Sequence, residues 1–565
     1  MAGYQARLIE AEDLWRAVPC RQACPVHTDA GRYVSLIREG RFDEARVVAA
    51  EGNPLVHVCA WVCVHGCEGA CSRARVDAPL SICALKRFAV EYGRSTVARA
   101  PLAEREERVA IVGAGPAGLS AARDLRLMGY RVTVYERAPS PGGMPYLSIP
   151  RHRLPRDVIR RDVEAIQALG VEMHCGRSLG REFTLHDLER EGYRAVLLAL
   201  GTTRGRGLGL EGFNYQGALH GLEFLLAYNL GQPVRLGKKV VVVGGGHVAV
   251  DVARTALRAG GAREGRPEVH LVCLESRAEM PASPEEVAAA EAEGVVIHPR
   301  RGPGRILGRD GRVAGLELRL VKSAYGSDGR LRPVFYPGYR ETLEADSVLL
   351  AVGQEPDLSW LQPGDGVEVT AEGLVAVDGN LATSRPGVFA AGDLVTGTRS
   401  VIAAVAEGRK AARSIHRHLR GWSRENGGIA PRSRPRLFRA GHYRGTDDYL
   451  RLPRQPEPGV NLGYDRERAH REAGRCLRCE VMPWLDPARC ILCGACGEIC
   501  PYDSLKIASS RRVLVTGLPG ASPGERRKGS LVLLWNGTTC VRCGLCAARC
   551  PTEALSMVRV EWGEV

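Results

Sequence analysis

Nineteen cysteines crowd mostly toward the two ends of this chain, and their spacing is that of metal ligation rather than of disulfides. Cys490, Cys493, Cys496 and Cys500 form a C-x2-C-x2-C-x3-C run followed by Pro501. Cys540, Cys543, Cys546 and Cys550 repeat it, followed by Pro551. Thiolates at this spacing wrap a cubic iron–sulfur cluster, and in paired runs the fourth cysteine of each reaches the other cluster. Cys490, Cys493, Cys496 and Cys550 are therefore expected to hold one [4Fe–4S] cluster, and Cys540, Cys543, Cys546 and Cys500 a second. Structural zinc is the competing use of such thiols, and two complete runs argue against it. An odd cysteine total also fits a disulfide framework badly.

A second chemistry lies in the glycines. Gly113-Ala-Gly115-Pro116-Ala117-Gly118 follows the apolar run Val109–Val112 and opens a helix-like stretch closed by Gly129. The first glycine turns the chain, the second lets backbone approach a pyrophosphate, and the third lets helix pack on strand. The helix N-terminus supplies free N–H groups to phosphate. A second strand, Arg131 to Tyr135, ends at Glu136, at the right distance for a ribose-binding carboxylate. Gly244, Gly246, His247, Val248 and Asp251 repeat the pattern after Val240–Val243. There the next strand runs into Glu275. A carboxylate at that place repels a 2′-phosphate and accepts from a bare ribose, which favours NAD(H) over NADP(H). Arg277, two residues on, is the residue that could reverse this preference.

With Glu136-Arg137, Pro141-Gly-Gly143-Met144, Ile149 to Pro155, Gly387 to Asp393 and Ala403 to Gly408, residues 20–415 resemble the glutamate synthase small-subunit family. That family includes the N-terminal half of dihydropyrimidine dehydrogenase. The resemblance implies an α/β fold: an FAD domain with an inserted Rossmann-like NAD domain. It implies flavin contacts for Gly392 and Asp393, and carries Gly143, Met144, Gly201 and Gly353 over as cofactor-binding positions. The chain departs from the family at Tyr146-Leu-Ser-Ile-Pro150, one residue longer than usual, and at His247, where Asn is common. The C-terminal runs resemble a bacterial-type 2[4Fe–4S] ferredoxin.

Cys20-x3-Cys24 and Cys59-x3-Cys63-x3-Cys67-x3-Cys71 resemble the family's N-terminal pair of clusters. Two ligands are missing. The family's C-x2-C pair before Cys20 is absent, and its Glu or Gln ligand falls at Lys86 or Arg87. Cys476-x2-Cys479 is spare, so Cys20, Cys71, Cys476 and Cys479 are expected to share one cluster across the chain. Cys24, Cys63, Cys67 and Cys83 would hold the other, with Cys59 the rival of Cys83. The duller alternative leaves Cys476 and Cys479 idle and the cluster lost. Cys175 and Cys273 read as buried packing residues.

These groups must be positioned by several domains, as 565 residues lead one to expect. The expected order is a helical Fe–S domain (1–100), the FAD domain in two parts (104–220 and 346–420), and the NAD(P) domain between them (221–345). A linker (421–475) and a ferredoxin-like dicluster domain (476–565) follow. Tyr33, Leu36 and Ile37 predict one helix ending near Gly40, and Phe42, Ala45 and Ala49 a second. The clusters are expected to stand in for a large apolar core there. The long insert between Cys500 and Cys540 reads as a docking element or a surface loop. No apolar run reaches the ~18 residues of a membrane span, and residues 1–10 lack a signal-peptide core, so a cytoplasmic protein is expected. A net charge of +14 suits an acidic redox partner, and no nucleic-acid motif accompanies it.

The function expected is an enzyme: an FAD- and [4Fe–4S]-dependent oxidoreductase. It would pass electrons between NAD(H) and a ferredoxin or partner enzyme, as a subunit of a hetero-oligomer. No acid–base residue is nominated as catalytic, because hydride transfer asks the protein for alignment. A flavin then divides a two-electron donor into single electrons for clusters. The alternatives are an NADPH-dependent glutamate synthase small subunit, an electron-bifurcating subunit, or a non-catalytic redox sensor, which the two intact glycine loops disfavour.

Overall fold

The computed structural model describes residues 4–7, 18–95, 100–259, 265–421, 435–439, 455, 463–509, 513–516, 531–537 and 539–562. Most of the expected linker, much of the Cys500–Cys540 insert and most of residues 1–10 lie outside them. The chain divides into two units: Arg99–Gly421, and a second that joins Met1–Ala98 to Trp422–Val565.

In Arg99–Gly421 the short valine-rich runs become central parallel strands, buried on both faces as such runs must be. One five-stranded sheet has the order Val388–Ala390, Tyr193–Leu198, Arg108–Val112, Arg131–Glu136, Glu172–Cys175. A second has the order Val296–His298, Glu268–Val272, Lys239–Val243, Ser347–Leu350, Ala218–His220. All neighbours in both sheets are parallel. The second sheet lies in sequence between Tyr193–Leu198 and Val388–Ala390, so it is an insertion in the first. An antiparallel sheet, built on the long strand Arg312–Tyr325, is attached to the insertion. Helix Val401–Leu419 packs along helix Pro116–Leu127. A Cβ at Gly408 would strike the backbone of Ala117, so only glycine permits that approach.

The other unit has a real apolar core, where the sequence led us to expect clusters in its place. Helices Ala30–Arg38, Phe42–Glu51 and Ile82–Tyr92 bury Tyr33, Ile37, Leu85 and Phe88 together. Phe42 meets Phe88 edge-on at 5.1 Å. The stretch expected as a linker contributes to the same core: helix Arg466–Gly474 buries Ala469 and Ala473 there, beside Tyr464. Small alanines let the helix lie close, and its otherwise charged sequence hid that face. Beyond it, Val481–Leu485 and Leu555–Trp562 pair antiparallel, as do Leu505–Ser509 and Leu531–Trp535. Among the described residues no helix is long and apolar enough to cross a membrane.

Candidate functional site

In the first sheet, Gly113 has φ +109, a conformation that favours glycine, and a Cβ there would strike the carbonyl of Ala199. Gly115 caps helix Pro116–Leu127 with no side chain over its first N–H groups. A Cβ on Gly143 would come 2.5 Å from the Cα of Gly115, so two glycine loops press face to face. Gly113, Gly115, Pro116, Ala117, Gly143, Met144, Gly201, Gly392 and Asp393 line one cleft, with Glu136. Gly118 faces the strand instead, packing against Gly113 and Ile111. Both oxygens of Glu136 are fixed, by the N–H groups of Ala114 at 2.7 Å and Ala138 at 2.8 Å. Burial raises its carboxyl, and these two donors work against that rise. Each oxygen keeps a lone pair for a sugar hydroxyl. Asp393 accepts from the backbone of Arg399 at 3.1 Å, and burial pushes its carboxyl up to about 6. A glycine-lined cradle at an uncapped helix start, closed by two anchored carboxylates, fits a dinucleotide such as FAD.

The second glycine loop repeats the geometry. Gly244 has φ +142, and its N–H donates to the carbonyl of Val272 at 2.8 Å. Glu275 is buried against this loop, so that a Cβ on Gly245 would come 2.6 Å from its Oε2. The Tyr325 side chain lies beside it, and burial raises its carboxyl. Arg277 turns away to Glu291 at 2.8 Å. His247 and Val248 begin the helix, and nothing lies within 4 Å of where a Cβ would sit on Gly246 or Gly353. Asp251 is occupied: Arg153 donates to it at 2.6 Å and also pairs with Glu286. Asp251 therefore anchors the Arg153 loop to the helix, a pairing that spacing could not reveal.

The cysteines gather in three pockets and one cluster of contacts. Cys490, Cys493, Cys496 and Cys550 line one pocket. Cys500, Cys540, Cys543 and Cys546 line another. Cys20, Cys71, Cys476 and Cys479 line a third, although over 400 residues separate the two pairs. Cys63 is hydrogen-bonded to Cys83, and both face Lys86 together with Cys59 and Cys67. The Lys86 ammonium donates to the carbonyl of Cys59 at 3.3 Å. Burial pushes the thiols of Cys546 and Cys67 up to about 12. Thiolates so buried call for a metal to stabilise them, and sulfur-only sets of four suit iron–sulfur clusters.

One backbone detail links three of the C-x2-C pairs. The residue before the second cysteine is left-handed in each: φ is +51 at Arg478, +54 at Leu492 and +60 at Arg542. Such φ values are uncommon for side chains of this size. Amide-to-sulfur bonds recur as well, from Arg478 to Cys476 at 3.5 Å and from Ser504 to Cys500 at 3.3 Å. Leu477 and Val541 pack together with Cys479 and Cys543, joining the third pocket to the second. Leu505 and Leu555 pack with Cys496, Cys546 and Cys550, joining the second to the first.

Sequence reasoning missed the groups that hold the returning segment. Arg475 is fully buried and donates to Glu472 at 2.6 Å and to Asp77 at 2.9 Å. Arg73, equally buried, grips Asp77 and the carbonyl of Arg475. Glu472 also accepts from the N–H groups of Ser81 and Gln455, both at 3.0 Å. These charges flank Cys71 and Cys476. A buried ion lattice leaves no hydrophobic period, so only an odd density of Arg and Glu beside the cysteines could have hinted at it. The expectation for the leftover cysteines held for Cys273, which is buried, and failed for Cys175, which is exposed at the end of an edge strand.

Residues 107–408 match the family model for pyridine nucleotide-disulphide oxidoreductases. Residues 15–97 match the 4Fe–4S cluster domain II of dihydropyrimidine dehydrogenase, and residues 489–554 a 4Fe–4S dicluster domain. The chain is 41% identical to the NADP(+)-dependent formate dehydrogenase subunit beta of Moorella thermoacetica, over 82% of this chain and 70% of that protein. It is 38% identical to the NADPH-Fe(3+) oxidoreductase subunit beta of Geobacter sulfurreducens, over 71% of this chain and 63% of that one. The NAD-dependent dihydropyrimidine dehydrogenase subunit PreT of Salmonella typhimurium is 35% identical, over 71% and 91%. Over 56% of this chain the fold is similar to 85% of Mycobacterium tuberculosis FprA in complex with NADPH, at TM-score 0.50 and 20% identity.

Proposed function

The chain belongs to the pyridine nucleotide-disulphide oxidoreductase family, as a flavin- and iron–sulfur-containing oxidoreductase, and from that premise we propose that it exchanges electrons between NAD(H) and a partner oxidoreductase subunit through FAD and four [4Fe–4S] clusters. The observation that carries this reading is the convergence of Cys20, Cys71, Cys476 and Cys479 on one pocket, packed through Leu477 and Val541 against the next. Two sulfur sets in contact through apolar side chains form a water-poor path for electrons. The left-handed Arg478 supports it, because the Cys476–Cys479 loop then has the shape of the ferredoxin-type loops.

The residues have distinct tasks. Glu136 receives the adenosine ribose of the flavin, and the N-terminus of helix Pro116–Leu127 faces its pyrophosphate. Gly143, Met144, Gly201, Gly392 and Asp393 close around the rest. Bound FAD would supply hydride acceptance and single-electron release, which side chains lack. Gly244, Gly246, His247 and Val248 cradle the nicotinamide dinucleotide, and Glu275 meets its ribose. Arg277, the charge that would favour a 2′-phosphate, is engaged by Glu291. Gly353 leaves room beside this loop.

The partner is read as the substrate-oxidising or -reducing subunit of a hetero-oligomer, in the manner of the relatives' names. A ferredoxin is the alternative acceptor. NADP(H) is the rival nucleotide, because two of the relatives are named for it. Stopped-flow reduction of the flavin by NADH and NADPH, followed by co-purification from the native cell, tests both halves. Bleaching by neither nucleotide would sink the proposal.

A further inference from the structure

Three of the largest fully buried side chains in the cysteine-rich unit are arginines: Arg73, Arg475 and Arg542. The first two are answered by Asp77 and Glu472. Arg542 has no carboxylate partner among the described residues. Its Nη1 donates to the carbonyls of Gly537, at 2.8 Å, and Cys540. Its Nε and Nη2 donate to nothing described, although both are buried. The ring of Trp535 lies 5.6 Å from the guanidinium carbon, which offsets part of the charge.

A buried cation without a counter-charge is expensive, and nature answers such charges with an anion or a metal site's net charge. Arg542 stands where that anion would be. It lies between Cys540 and Cys543, and it lines the pocket they share with Cys500 and Cys546. Val541, the residue before it, packs with Leu477 against Cys479 of the neighbouring pocket. Leu477 and Val541 pack between the two pockets and keep the local dielectric low, which strengthens every charge effect there. A cluster held by four thiolates is anionic, and reduction adds one more negative charge.

We propose that the Arg542 guanidinium is a shared counter-charge for two iron–sulfur clusters, the one at Cys500, Cys540, Cys543 and Cys546 and the one at Cys20, Cys71, Cys476 and Cys479. By stabilising the reduced form of each, it raises both reduction potentials above the values they would have without that charge. This rests on the four-cluster reading given above.

The test is an EPR-monitored redox titration of the full-length holoprotein and two variants. Arg542→Gln keeps donors for the Gly537 and Cys540 carbonyls and removes the charge; Arg542→Lys keeps the charge. In Arg542→Gln the reduced-to-oxidised ratio at fixed potential should fall at least tenfold for two clusters, about 59 mV for a one-electron couple. The other clusters and the flavin should not move, and Arg542→Lys should stay near wild type. Loss of iron from these two sites in Arg542→Gln but not in Arg542→Lys would also support the counter-charge. Unchanged potentials in Arg542→Gln, equal shifts in both variants, or iron loss in both would overturn it. The wild-type iron count, about sixteen per chain for four clusters, is read on the same samples and judges the four-cluster reading separately. If it falls short, the shift of the ferredoxin-type cluster alone still judges Arg542.

Discussion

Glu136 and Glu275, the two carboxylates proposed to meet a ribose, stand at different places in their units. Glu136 is the last residue of its strand, while Glu275 stands three residues beyond Val272. Glu136→Arg should lose FAD on purification, seen as a fall in flavin absorbance per chain by tenfold or more, because the guanidinium would displace both Ala114 and Ala138 donors. Full flavin occupancy in that variant would remove Glu136 from the site. Glu275→Arg should shift the kcat/KM ratio toward NADPH by at least tenfold, roughly 1.4 kcal/mol of discrimination. A wild-type preference for NADPH would reverse this assignment. Spacing made the placement of both carboxylates against their glycine loops legible, since each belongs to a local strand–loop–helix unit. The neighbour of Glu275 was not legible: Tyr325 arrives from a strand fifty residues downstream. Nor was the capture of Asp251 by Arg153, which depends on how two distant loops fold back.

Helix Arg466–Gly474 shows what a pattern search overlooks at the level of an element. Its buried residues are two alanines, a glutamate and the final glycine, so its composition reads as solvated. Glu472 is nevertheless as buried as any leucine, and it answers Arg475 and two backbone N–H groups. Glu472→Ala should cost about 3–5 kcal/mol, the usual penalty for stranding a buried charge. Thermal unfolding should show the loss in the cysteine-rich unit, and iron should drop with it, because Cys476 follows the helix directly. Unchanged stability and iron would mean that the lattice is decorative. The Rossmann-type elements, by contrast, were readable from the sequence. A buried parallel strand leaves a run of valines, and its glycine turn leaves a signature that tertiary context rarely rewrites.

At the scale of the whole molecule, the ends of the chain make one unit around the glycine-loop unit's sequence. Replacing Cys476 and Cys479 together by Ser should remove about four irons per chain and leave the EPR signals of the ferredoxin-type pair in place. No change in iron would break the cross-chain cluster. A single Cys493→Ser change should leave flavin reduction by NADH intact and slow transfer to a ferredoxin-type acceptor, if the outermost ferredoxin cluster is the exit. Undiminished transfer would move the exit to the N-terminal clusters. The two ferredoxin runs were legible because each is a local C-x2-C-x2-C-x3-C-P motif. The meeting of residues 20 and 71 with 476 and 479 was inferable only from a count of spare thiols, since no periodicity records contacts across four hundred residues.

The union of chain ends also sets a timetable for manufacture. Cys20 and Cys71 leave the ribosome long before Cys476 exists, and 405 residues separate Cys71 from Cys476. At about 5–20 residues per second the wait is roughly 20–80 s. During that interval the early thiols lack two of the four cysteines proposed to share their cluster and stand open to oxidation. The glycine-loop unit, whose residues are all made in between, can fold while they wait. Cells that make this protein under air should therefore lose the cross-chain cluster first, and a nascent chain stalled before Cys476 should carry no iron at that site.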